Sequence, residues 1–87
     1  MTKLAQMIAD YEKAQANTNE LEAKVENNPT DTALEKEWDK AYAIEYKALI
    51  DLIEAIVNLT NGQIDKRTAR QMIATRLDTL KAIADLA

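Results

Sequence analysis

The sequence predicts an all-α protein: an antiparallel up-down-up three-helix bundle in which a long helical hairpin overhangs a shorter third helix. Three observations carry this. Apolar residues recur at spacings of three and four through most of the chain, which is the period of a helix face. The 87 residues include one Gly and one Pro, so strong turn chemistry is confined to two places. No stretch of useful length shows the alternation of a half-buried strand. A chain this short makes one domain, residues 1–87, near the small end of what folds alone.

The first helix is expected at about 3–27. Leu4, Met7, Tyr11, Ala14, Thr18, Leu21 and Val25 follow one another at 3-4-3-4-3-4 spacing, an unbroken seam over three heptads. Thr2 offers an N-cap oxygen. Asn28 precedes Pro29 and is biased out of the helical region, so the helix stops there.

The second helix is expected from about 31 to 60. Thr30, Asp31 and Thr32 all offer capping oxygens, and Thr32 with Glu35 has capping-box spacing. Gly62, after Asn61, suits the left-handed position that ends such a helix. Two apolar rows run along it. One is Leu34, Trp38, Ala41, Ala48, Leu52, Ala55 and Leu59, interrupted by Glu45. The other is Tyr42, Tyr46, Leu49, Ile53 and Ile56. Two adjacent rows make a wide stripe that packs against more than one neighbour.

The third helix is expected at about 66–86. Asp65 caps it and Ile64 staples onto Ala69. Its apolar positions are Ala69, Met72, Ile73, Leu77, Leu80, Ile83, Ala84 and Ala87, with Arg76 at the edge. Short loops make sequential helices antiparallel. Folding back at Gly62 sets Leu49 near Arg76 and Tyr42 near Ile83. The first two helices then outrun the third by about three turns. The protruding end carries Leu21, Val25, Leu34 and Trp38, which are the expected contacts to a partner protein or a second copy.

The side-chain inventory excludes most enzyme chemistry. Cys, His and Ser are absent, so there is no thiol or serine nucleophile, histidine base or zinc-thiolate site. No catalytic residue, metal or cofactor is expected. Glu35 with Asp39 and Asp51 with Glu54 have helical spacing, but the plain reading is a solvated acidic face. The stretch at 48–59 is too short to span a bilayer and is interrupted by Asp51 and Glu54. The first residues lack a signal-peptide core, which points to a cytoplasmic protein with no membrane partner.

Formal charge is −4, divided as −2 over residues 1–30, −4 over 31–60 and +2 over 61–87. An acidic chain is repelled by phosphate, so nucleic acid is disfavoured as a partner. Lys66, Arg67 and Arg70 nevertheless cluster at the start of the third helix, in a segment with a helix–turn–helix look. Glu45, within the apolar seam, is expected to pair with Arg76 as a structural contact that fixes register. The expectation is therefore a non-enzymatic, self-associating helical module of adaptor, regulator, inhibitor or immunity type. The alternative is a small DNA-binding regulator using the basic start of the third helix.

Overall fold

The computed structural model describes residues 2–86, and these are all-helical. Ala87, counted above in the third helix, lies outside them. The described residues form four helices rather than three: α1 (Lys3–Asn27), α2 (Thr32–Leu59), α3 (Lys66–Thr75) and α4 (Leu77–Leu86).

Each end of the long hairpin has a local cause. Thr2 caps α1 by accepting from the Ala5 N–H at 3.0 Å. At the far end the Asn28 side chain donates to the Lys24 carbonyl, and the backbone turns through Pro29. Asp31, not Thr32, caps α2, accepting from Ala33 and Leu34 at 3.1 and 3.2 Å. A carboxylate there also complements the dipole. At the end of α2, Gly62 N–H donates to the Val57 carbonyl and Asn61 N–H to that of Asn58, a Schellman closure. The left-handed C′ residue is thus Asn61 (φ 54°), and Gly62 (φ 80°) follows it in the same region.

The third helix expected at 66–86 breaks at Arg76, whose φ of −136° and ψ of 36° leave the helical region. Thr75 donates its hydroxyl to the Gln71 carbonyl at 2.8 Å, a local bond that competes with helix continuation. Asp78 sits in the first turn of α4, where an acid favours a new N-terminus. The break redirects the chain. α3 lies against α2, whereas α4 lies against α1. Thr2 ties that second contact by donating to the Ala84 carbonyl at 3.0 Å, and Lys81 pairs with Glu12 at 2.8 Å. Tyr42 and Ile83, expected level with one another, are both about half exposed, because α4 runs along α1 instead of α2.

The core sits at one end of the molecule, which measures 47 × 23 × 19 Å. Ala5, Ile8 and Tyr11 of α1 meet Leu52, Ile53 and Ile56 of α2, Ala69 and Ile73 of α3, and Leu80 and Ala84 of α4. Among the described residues, none between 12 and 47 joins this cluster. Beyond it the hairpin is two helices in contact, with Thr18 and Ala41 the buried residues of the seam.

Candidate functional site: an apolar ridge on the far half of the hairpin

The second apolar row of α2 divides into two halves. Ile53 and Ile56 are buried where α3 covers them, and Leu49 is half-buried beside them. Further up, the same row continues as Tyr46 and Tyr42, 47% and 48% exposed. Trp38 extends it by one turn, its ring stacked on Tyr42 with centroids 5.5 Å apart and planes 28° from parallel. Periodicity makes one apolar row, and the shortness of α3 leaves its upper half bare. The row expected to pack against a neighbour along its length therefore does so only in part: Tyr42 and Tyr46 are about half exposed, whereas Tyr11 on α1 is buried.

Trp38 is half-buried, yet its indole N–H is fully enclosed and meets no acceptor. An enclosed donor without a partner costs roughly 1–3 kcal/mol. Leu21, Val25 and Leu34, the other residues of the expected contact surface, are half-buried in the same distal part of the hairpin.

The charged candidates fall elsewhere. Glu45 is half-buried and Arg76 is exposed, and they form no ion pair. The expected register contact fails because Arg76 occupies the break between α3 and α4. Glu45 instead acts on Tyr11: burial raises the Tyr11 hydroxyl above its ordinary pKa, the Glu45 carboxylate adds to this, and Arg70 opposes it. Lys66, Arg67 and Arg70 are exposed, and none joins the two ion pairs found among the described residues. Lys66 and Arg67 stand in the first turn of α3, against the helix dipole. Asp65 offsets this as N-cap, and its bonds from Thr68 hold its carboxyl below the usual range.

Sequence reasoning missed a groove of about 610 Å³ at the base, lined by Leu4, Met7, Ala55 and Leu59 with Lys3, Asp51 and Glu54. The signal in the sequence was Leu59, an apolar seam residue at the last turn of a helix, and it stands 66% exposed. Among the described residues, no group of three or more acids converges as a metal site would require. Among the described residues, no helix is long and apolar enough to cross a membrane. Comparison with protein-family models, with curated proteins and with solved structures gives no match.

Proposed function

We propose that the chain is a helical protein–protein interaction module of the cytoplasm, without catalytic activity, that binds through the Trp38–Tyr42–Tyr46 ridge. One observation carries the reading. An apolar row that is core at one end is left open at the other, and what stands open is aromatic. Tryptophan and tyrosine are the residues on which interface binding energy concentrates, because each covers much area at little entropic cost. The base supplies a rigid mount, and the ridge supplies the contact. Adaptors, inhibitors and immunity-type proteins all work in this way, by occupying a partner's surface rather than transforming a substrate.

A DNA-binding reading rests on the exposed cations of α3, which have no ion-pair partner among the described residues. Formal charge of −4 over the chain works against it.

Replacing Tyr42 with a photo-crosslinking amino acid tests the main reading in cells. The expected result is a discrete adduct that is lost when Trp38 and Tyr46 are changed to Ala. Adducts at Tyr42 no more abundant than at a probe placed at Gln71, on α3, would overturn it.

A further inference from the structure

We propose that the occupant of the ridge is a second copy of this chain, lying antiparallel, with the acidic tip of each hairpin along the basic α3 of the other. The inference rests on the interaction-module reading and names the partner.

Charge complementarity carries it. Residues 19–40, the tip, hold seven acids and three bases and account for a charge of −4. Toward the opposite end, Lys66, Arg67 and Arg70 of α3 are exposed and lack ion-pair partners among the described residues. Within one chain these two regions stand at opposite ends of a 47 Å molecule and cannot neutralise one another. Across an antiparallel pair they coincide. α2 is about 42 Å long and α3 about 15 Å, at 1.5 Å per residue, so α3 covers about a third of it. A two-fold axis midway between Tyr42 and Tyr46 brings Tyr42 opposite the partner's Tyr46 and Trp38 opposite the partner's Ile50. The exposed row Asp31, Glu35 and Asp39 then passes the level at which the partner's α3 begins and ends.

The ridge also continues directly from the core, so a second copy extends packing that the chain already uses. An interface of this symmetry is self-complementary: each chain offers both the acid and the base.

The test is a charge swap followed by light scattering across a concentration series. The variants are Arg67→Glu with Arg70→Glu, and Glu35→Lys with Asp39→Lys. All four sites are exposed, so circular dichroism should report unchanged helicity. The parent chain is expected at twice its 9.8 kDa mass, with dissociation increasing as salt rises. Each double variant should dimerise about tenfold or more weakly than the parent, since every reversed contact occurs twice. An equimolar mixture should recover the dimer, and native mass spectrometry should find one chain of each kind in it. A parent chain that stays monomeric up to about 0.1 mM overturns the proposal, as does a mixture no tighter than either variant alone. If the parent is monomeric but Tyr42 still crosslinks to a different protein, the second copy is wrong and the interaction module stands. If it is monomeric and Tyr42 gives no adduct, both fail. A duplex captured through Arg67 and Arg70 by a monomer likewise removes the second copy.

Discussion

Truncating Leu52 and truncating Tyr42 should have very different effects on stability, although the two residues lie ten positions apart on one helix. Leu52 is fully buried, within a cluster fed by all four helices. Leu52→Ala removes its transfer free energy and leaves a cavity that rigid neighbours cannot fill, at a cost of about 3–4 kcal/mol. An 87-residue domain has a total stability of roughly 4–13 kcal/mol, so this is a large share of it. Tyr42 is 48% exposed. The area lost from its covered half, less the helix propensity gained with alanine, leaves Tyr42→Ala at about 1 kcal/mol. Urea denaturation followed by helical circular dichroism, at about 1 µM protein so that self-association does not contribute, measures both. The expected gap is about 2–3 kcal/mol, visible as a lower midpoint at unchanged slope. Equal costs at the two positions would mean that the ridge is as well supported as the core, and the division of α2 into covered and bare halves would be wrong.

Two further outcomes follow from the caps. Thr2→Ala removes the N-cap of α1 together with the bond to the Ala84 carbonyl, and should cost about 1–2 kcal/mol in the same assay, more than Thr2→Asn. Asp65 should make stability fall in acid. Its folded pKa lies below its ordinary value, so its contribution is complete above that ordinary value and is lost as pH drops through the folded one. Asp65→Asn keeps a capping oxygen and should flatten that part of the melting-temperature profile below about pH 4; an identical profile in the variant would remove Asp65 as its cause.

Helical class and the ends of the hairpin were legible because they depend on local chemistry. Thr2, the Asn28-Pro29 step and the Asp31–Thr32 pair act within a few residues of themselves. The break at Arg76 was not legible, since the stretch contains neither Gly nor Pro and its apolar spacing runs on unbroken. It follows from a competition: Leu80 and Ala84 are buried only if α4 turns toward α1, and Thr75 and Asp78 make the turn cheap. That same choice defeated the Glu45–Arg76 pairing. The exposure of Tyr42 and Tyr46 was equally hidden. A row of apolar residues shows which face of a helix is greasy, but not how far along its length a neighbour extends.

Amide hydrogen exchange resolved along α2, at the highest practical dilution, tests the uneven support of this hairpin most directly. Residues 52–56 should exchange slowest, at the rate set by global unfolding, and protection should decline steadily toward residues 34–46. Level protection from Leu34 to Ile56 would show that the far half of the hairpin is held as firmly as the base, and would contradict the account.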